Sequence, residues 1–175
     1  MRFRTVFATM LAVAGLVTVS TGTAVAAKPT PSYSDPVVNW IQPTVVAHPD
    51  GTATVHAHYT CWGGNVGTHL FIAVKQGPEI NATDHTSSEF AVTFYSTNWN
   101  SDGPGDSLNC NGEQHNALFT LQPDPYWAHA GDNPPPLAAG PAFVQFCLFD
   151  STNSGEEGDL TGFAFDYSMR KVALD

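Results

Sequence analysis

The chain has 175 residues, with sixteen acidic and six basic side chains and a formal net charge of −10 at pH 7. An acidic protein repels phosphate backbones and anionic lipid, which argues against nucleic acid and membrane surfaces as partners. The length suits a single domain with its own hydrophobic core.

The N-terminus has the organisation of a secretory signal peptide. Arg2 and Arg4 precede an apolar run over residues 6–17, and small residues follow, ending at Ala26. The apolar run is shorter than the roughly 20 residues that span a bilayer, which argues against a transmembrane anchor. We therefore predict that residues 1–26 are a signal peptide and that the protein is secreted and extracellular. Its removal leaves four basic against sixteen acidic residues, a net charge near −12.

The rest of the chain predicts short strands separated by turns. Residues 27–36 are rich in Pro and Ser, which is typical of a flexible N-terminal tether. Beyond them, apolar runs alternate with clusters of Gly, Pro, Asn and Asp, and no stretch has a helical period. The predicted strands are residues 37–46 with a break near Pro43, 52–61, 69–76, 90–96, 116–121, 142–149 and 163–174. About seven strands at this spacing predict an all-β fold, an antiparallel β-sandwich over residues 37–175.

The strand that ends at Cys61 has the clearest pattern in the chain. In the segment GTATVHAHYTC, which begins at Gly51, small apolar and polar residues alternate with the period of two that a strand requires. We predict that one face is buried, consisting of Ala53, Val55, Ala57, Tyr59 and Cys61. The opposite face carries His56 and His58 and is predicted to face solvent.

Three cysteines, Cys61, Cys110 and Cys147, lie in a chain predicted to enter an oxidising compartment. We predict a Cys61–Cys110 disulfide because both residues lie beside Gly-rich turns, where the backbone can adapt to the bridge. Cys147 lies in an apolar strand and is predicted to be a buried thiol. The alternative is a Cys61–Cys147 bridge between two sheets.

Several segments together resemble one group of secreted proteins. The export signal, ATVHAHYTC, HLFIAVKQG, LNCNGEQHNALFTL and PAFVQFCLF are similar to segments of small secreted immunoglobulin-like proteins of Gram-positive bacteria. Members of that group have a YTC strand end, a CxG before a later strand and an A/T-rich strand near the C-terminus. The resemblance extends from about Gly51 to Leu174 and implies an immunoglobulin-like sandwich, but no catalytic residue. The chain departs from the group in having a single cysteine, Cys147, in its C-terminal third.

Aromatic residues in polar loops are the first candidates for a binding site. Trp99 lies in STNWNSDG, and Tyr126 and Trp127 lie in the proline-rich segment 124–140. Such rings stack on sugar faces or anchor a protein partner, so we predict that these three residues bind an extracellular protein or glycan. Trp40 and Trp62 are predicted to pack in the core or over the disulfide.

Three histidines are the candidates for a metal site. Two neighbouring imidazoles on one strand face, His56 and His58, can bind Zn or Cu if a third ligand converges on them. If Cys61 and Cys110 were directly opposed, His56 would face His115, and Glu113 would face His58. A bulge at Gly112 would break that match, and the pair would then be two exposed strand histidines.

The sequence favours a non-enzymatic module. It contains no GxSxG, no HExxH and no phosphate-binding glycine loop, and its acidic turns at 100–106 and 153–159 lack EF-hand spacing. We therefore predict a secreted monomer without a cofactor that binds an extracellular protein or glycan. The alternatives are a secreted Zn/Cu-binding protein and, less favoured, a small secreted hydrolase.

Overall fold

Regular structure in the described part of the protein consists of β-strands. The computed structural model describes residues 35–62, 68–80, 91–97, 108–124, 134–150 and 162–175, none of which is helical. Within these ranges there is accordingly no helix with the length and apolar character that crossing a membrane requires. The strands are β1 (Val37–Ile41), β2 (Thr44–Ala47), β3 (Ala53–Thr60), β4 (Thr68–Gln76), β5 (Thr93–Ser96), β6 (Gln114–Pro123), β7 (Gly140–Asp150) and β8 (Phe163–Leu174). The all-β prediction is confirmed.

The first predicted strand divides at Pro43, where a break was expected. Gln42 N still donates to His56 O on β3 at 2.8 Å, whereas Pro43 O accepts from Lys171 N on β8 at 3.0 Å. Proline has no N–H to continue the pairing with β3. The pairing with β3 is therefore interrupted here, which separates β1 from β2, and β2 pairs with β8 as well as with β3.

The strands form one sheet that closes on itself. Seven of them follow the order β3-β2-β8-β7-β4-β5-β6, β6 pairs back onto β3, and β1 lies alongside β3. The pairings are antiparallel except that β2 runs parallel to β8, from Thr44 opposite Lys171 to Ala47 opposite Leu174. The seven predicted strands correspond to eight observed ones, because the first divides at Pro43. The sheet closes into a seven-stranded barrel with one parallel pair, which differs from the predicted open, wholly antiparallel sandwich. Alternation within a strand does not identify its partners, so the sequence did not predict this closure.

The interior of the closed sheet is the main hydrophobic core. On β3 the predicted inward residues, from Ala53 to Cys61, are all buried, and the residues between them are partly exposed. They meet Phe119 and Leu121 of β6 and alternate residues of β4 and β7, including Phe146. The face that the sequence assigned to the core is confirmed.

Strands β4 and β5 and the middle of β7 are buried on both faces. Leu70, Ile72 and Val74 of β4 belong to the interior core. The alternate residues point outward, and a second buried cluster there consists of Phe71, Ala73, Ala91, Phe94 and Cys147. Burial on both sides explains why β4 and β7 read as continuous apolar runs without alternation.

The predicted Cys61–Cys110 disulfide is present, and its Cα atoms are 4.5 Å apart. Cys147 is a free, buried cysteine, so the alternative Cys61–Cys147 bridge is excluded. Beyond the bridge, Gly112 has a positive φ of 81° and donates its N–H to Cys61 O at 2.8 Å. The ring of Trp62 lies directly over Gly112, in the turn that follows Cys110.

Replacement of Gly112 by Ala tests this turn. An alanine Cβ would overlap the Trp62 ring, and L-residues are strained at this φ. We expect Gly112→Ala to lower the free energy of unfolding by about 3 kcal/mol, measured by urea denaturation with the disulfide intact.

Gly51→Ala is the matched control. Gly51 has a similar φ of 85°, but no atom lies within 4 Å of the site that its Cβ would occupy. We expect a loss of about 1 kcal/mol from backbone strain alone. Equal losses in the two variants would contradict the packing of Trp62 on Gly112.

Candidate functional site

A β-bulge at Asn39 turns Trp40 outward. Val38 faces Tyr59 and Trp40 faces His58, so β1 contains one more residue than β3 over this interval. Regular alternation would point Val38 and Trp40 to the same side, but Val38 packs against the core while Trp40 is 40% exposed. The prediction that Trp40 is a core or lid residue is wrong. The bulge shifts the alternation, so that Ile41 fills the core instead.

Trp40 lies against both histidines of β3. Its ring centroid is 4.9 Å from that of His58 and 5.6 Å from that of His56. The two imidazole centroids are 5.7 Å apart. The predicted placement of His56 and His58 on one outward face is confirmed. Their joint contact with Trp40 depends on the bulge, which the sequence did not predict.

Residues of β6 complete this face. Asn116 lies opposite His58, and Leu118 lies opposite His56. The Asn116 side-chain oxygen accepts a hydrogen bond from His56 Nε2. Leu118 is 62% exposed, which leaves an apolar border on this side. We call the surface formed by Trp40, His56, His58, Asn116 and Leu118 the Trp40 face.

The Trp40 face lies on strands without formal charge. The sequences of its three strands, VVNWI, ATVHAHYT and QHNALFTLQP, contain no Asp, Glu, Lys or Arg. Polar groups near the face are amides and hydroxyls, such as Thr60 Oγ1, which donates to Asn39 Oδ1 at 3.1 Å. The acidic residues that give the protein its net charge of −10 therefore lie on other segments of the chain.

His115 does not join the other two histidines. It lies opposite Tyr59 on the inward side of β6, and its Nε2 donates to Asn111 Oδ1 at 2.8 Å. The expected alignment of His56 with His115 is wrong, because the turn at Gly112 shifts the register and places Leu118 opposite His56. Among the described residues, no group of three His, Cys, Asp or Glu side chains could hold a metal ion.

The predicted loop residues Trp99, Tyr126 and Trp127 lie outside the described residues. The same holds for the acidic turns at 100–106 and 153–159. Their predicted roles stay predictions.

A second polar cluster, which sequence reasoning missed, lies at the β2–β3 turn. His48 Nδ1 lies 3.1 Å from Asp175 Oδ2, and His48 Nε2 lies 3.1 Å from Thr54 Oγ1. A cleft of about 310 Å³ borders His48 and Asp175. Carboxylate, imidazole and hydroxyl occur here in the order found in hydrolases. The 127 residues that separate His48 from Asp175 explain why no local signal revealed the cluster.

The contacts around His48 indicate a structural role, in which the C-terminal residue is held against β2. Asp175 N donates to Ala47 O at 3.0 Å, which ties the residue after β8 to β2. In the adjoining turn, hydrogen bonds from the Thr52 backbone and hydroxyl lower the pKa of Asp50. Asp50 thus remains ionised and holds the turn that carries His48. The hydrolase alternative stays a prediction.

Comparison with known proteins does not assign a family. No protein-family model matches this chain, and no curated protein matches it. The resemblance to small secreted immunoglobulin-like proteins therefore stays a prediction, and the functional inference depends on the contacts of the described residues.

The arrangement of the histidines yields a test of the metal hypothesis. Any Zn²⁺ or Cu²⁺ that this surface binds should depend on His56 and His58, because they share the outward face. We expect His56→Ala/His58→Ala to abolish such binding, measured by equilibrium dialysis with metal analysis. His115→Ala is the matched control and should leave it unchanged. If the double variant takes up as much metal as the parent protein, the metal hypothesis is excluded.

Proposed function

We propose that this protein is an exported, non-enzymatic, immunoglobulin-like module that binds a neutral glycan outside the cell through the Trp40 face. The observation that carries the proposal is the bulge at Asn39, which presents Trp40 to solvent beside two histidines and an asparagine. Bulges commonly re-aim a side chain at a functional site.

The strand order supports the immunoglobulin-like part of the proposal. One half of the closed sheet follows β8-β7-β4-β5 and the other follows β1-β3-β6. With β1 as strand A, these are the orders of the G-F-C-C′ and A-B-E strands of an immunoglobulin sandwich. The Cys61–Cys110 bridge joins the end of β3 to the segment before β6, so it lies within one half. This position differs from the B–F bridge of antibody domains.

Export is supported by two independent features. The N-terminal segment has the charge and hydropathy pattern of a signal peptide. The protein contains the Cys61–Cys110 disulfide, and disulfides form and persist in oxidising compartments. Both are compatible with an extracellular protein.

The chemistry of the Trp40 face favours a saccharide over a protein. A sugar ring has an apolar face that stacks on an indole and a rim of hydroxyls that require donors and acceptors. Trp40 supplies the ring, and Asn116 and the histidines supply the polar groups at its border. Protein-binding surfaces generally expose a larger apolar patch than Trp40, Leu118 and Val37, the exposed apolar side chains on this side.

The absence of formal charge on the three strands favours a neutral sugar. An acidic glycan is bound best by Lys or Arg, and β1, β3 and β6 contain neither. The overall negative charge would add long-range repulsion. Trp99, Tyr126 and Trp127 are proposed to extend the binding surface from neighbouring loops.

Zn²⁺ or Cu²⁺ binding is the second candidate function, and the His56–His58 pair favours it. The pair supplies two imidazole ligands on one outward face. Titration of glycans with and without EDTA separates the two functions, because stacking on Trp40 requires no metal.

Glycan binding is tested with a glycan array followed by calorimetric titration of neutral oligosaccharides of glucose, mannose and N-acetylglucosamine. We expect at least one neutral glycan to bind. Trp40→Ala should weaken its binding at least about tenfold, or about 1.4 kcal/mol, because the stacking surface is lost. Asn116→Ala should weaken it by a smaller factor.

Phe165→Ala is the matched control. Phe165 is a β8 aromatic residue that is 41% exposed, nearly the same as Trp40, and it lies away from the Trp40 face. This variant should bind the glycan as tightly as the parent protein. If the array yields only acidic glycans, or if Trp40→Ala binds undiminished, the proposal is wrong.

A further inference from the structure

One edge of β8 is paired over only part of its length. On this edge β2 pairs with the end of β8, from Lys171 to Leu174. Among the strands that the structure describes, none pairs with the same edge between Phe163 and Arg170, although β7 pairs with the opposite edge throughout that segment. An unpaired edge presents backbone N–H and C=O groups to which another strand can add.

The backbone of this open segment is directed toward the unpaired edge at alternate residues. Lys171 N donates to Pro43 O at 3.0 Å, so the backbone groups of Lys171 point to this side of β8. Because these groups alternate along a strand, those of Phe165 and Met169 point to the same side. The part of β8 before Lys171 is therefore a template for one more strand.

Two side chains of opposite charge lie along the open segment. Asp166 and Arg170 are partly buried and point to the same side as Ala164, which packs against the interior core. Arg170 Nη1 donates to the neighbouring Met169 O at 3.5 Å. Of the buried side-chain nitrogen and oxygen atoms in the described residues, Arg170 Nε is the one without a hydrogen-bond partner. The guanidinium thus lies at the open edge with an unmet hydrogen bond.

The spacing of the two charges is self-complementary. Asp166 and Arg170 lie two residues on either side of Ser168. If two copies of β8 pair antiparallel about Ser168, Asp166 of each copy lies directly opposite Arg170 of the other, where opposite charges stabilise a strand pair. Pairing about Asp166 would oppose two carboxylates, and pairing about Tyr167 would leave Arg170 opposite Ala164. Inward-pointing charges often keep an edge unpaired, but this arrangement selects one register.

The outward face of the same segment carries a row of aromatic rings. Phe163, Phe165 and Tyr167 stack along β8, with successive ring centroids 5.6 and 5.8 Å apart. Phe165 is 41% exposed. In the register about Ser168, Met169 of the second copy lies opposite Tyr167. Pairing would therefore continue the row of outward apolar side chains from one copy into the other.

We propose that two copies of the chain form a two-fold symmetric dimer by antiparallel pairing of their β8 edges about Ser168. Each Asp166 binds Arg170 of the second copy, so the guanidinium, whose Nε lacks a partner within one chain, gains an acceptor. The dimer differs from the monomer that the sequence predicted. It uses none of the residues of the Trp40 face, so the inference is independent of glycan binding.

The mass of the purified protein in solution is the primary test. Sedimentation equilibrium is measured at about 0.15 M NaCl, which screens the repulsion between two acidic copies. We expect the mass of two copies at about 100 μM and dissociation on dilution, because a short paired segment is typical of a weak, reversible interface. The mass of a single copy at the highest concentration would overturn the proposal.

Charge reversal tests the interface. Asp166→Arg and Arg170→Asp each place like charges opposite one another, so each should weaken dimerisation at least about thirtyfold. Glu113→Arg is the matched control, because it makes the same change of charge as Asp166→Arg at an exposed residue outside β8. It should dimerise like the parent protein. If the two reversed variants dimerise as tightly as the parent, the β8 edge is not the interface.

Restored pairing distinguishes a lost interface from a misfolded variant. The double variant Asp166→Arg/Arg170→Asp should dimerise again, because opposite charges face each other once more. An equimolar mixture of the two single variants should form a heterodimer for the same reason, identified by its mass in native mass spectrometry. If the single variants are monomeric and neither the double variant nor the mixture dimerises, the register that opposes Asp166 and Arg170 is wrong.

A disulfide across the two-fold axis is an independent test. The backbone groups of Met169 point to the open edge, so its neighbour Ser168 would form a non-hydrogen-bonded pair with Ser168 of the second copy. The Cα atoms of such a pair are about 4.5 Å apart, within the range that a disulfide requires. Ser168→Cys should therefore form a covalent dimer under oxidation, detected on a non-reducing gel.

Ala164→Cys is the matched control for the crosslink. Ala164 lies on the same face of β8 but four residues from the axis, so this variant should remain a single-copy band. Equal crosslinking of the two variants, or no crosslinking of Ser168→Cys, would contradict pairing about Ser168.

Discussion

The register between β3 and β6 is the constraint on which the rest of the molecule depends. Side chains alternate along a strand, so a slip of one residue would exchange the buried and exposed faces of β3. Eight consecutive pairs, from Ala53 with Leu121 to Thr60 with Gln114, maintain one register. At the end of this ladder, the Cys61–Cys110 bridge and the turn at Gly112 hold the two strands together. Tyr59 consequently faces the core, and His56 and His58 face solvent.

The Trp40 face arises from an irregularity superimposed on this regular frame. The bulge at Asn39 lets Val38 and Ile41 both face the core, and Trp40 is left on the outside. Once there, the indole meets imidazoles whose position was already set by β3. The site therefore depends on a regularly paired strand, β3, and on one inserted residue, Asn39. The insertion exposes a flat aromatic ring on the outside of a closed sheet.

The opposite side of the molecule follows a different rule. Because β4 and β7 are buried on both faces, their outward residues lie in apolar surroundings, and the polar groups among them must satisfy one another. Lys75, Gln145, Cys147 and Tyr167 form such a chain of contacts. Lys75 and Cys147 are buried, and the partly buried Gln145 and Tyr167 supply their hydrogen-bond partners.

The amino-acid sequence by itself determined the class of fold, the positions of the strands, the buried face of β3 and the disulfide, because alternation, turn residues and cysteine context act over short distances. It also placed His56 and His58 on one outward face. Tertiary structure decided which strands pair. The pairing of β2 with both β3 and β8 closes the sheet, and the β3–β6 register separates His115 from the other histidines. It likewise decided that Trp40 faces outward and that Lys75 meets Gln145, 70 residues away. These outcomes depend on a bulge, a turn and long-range registers, whose energies are set by contacts between distant segments rather than by any local pattern.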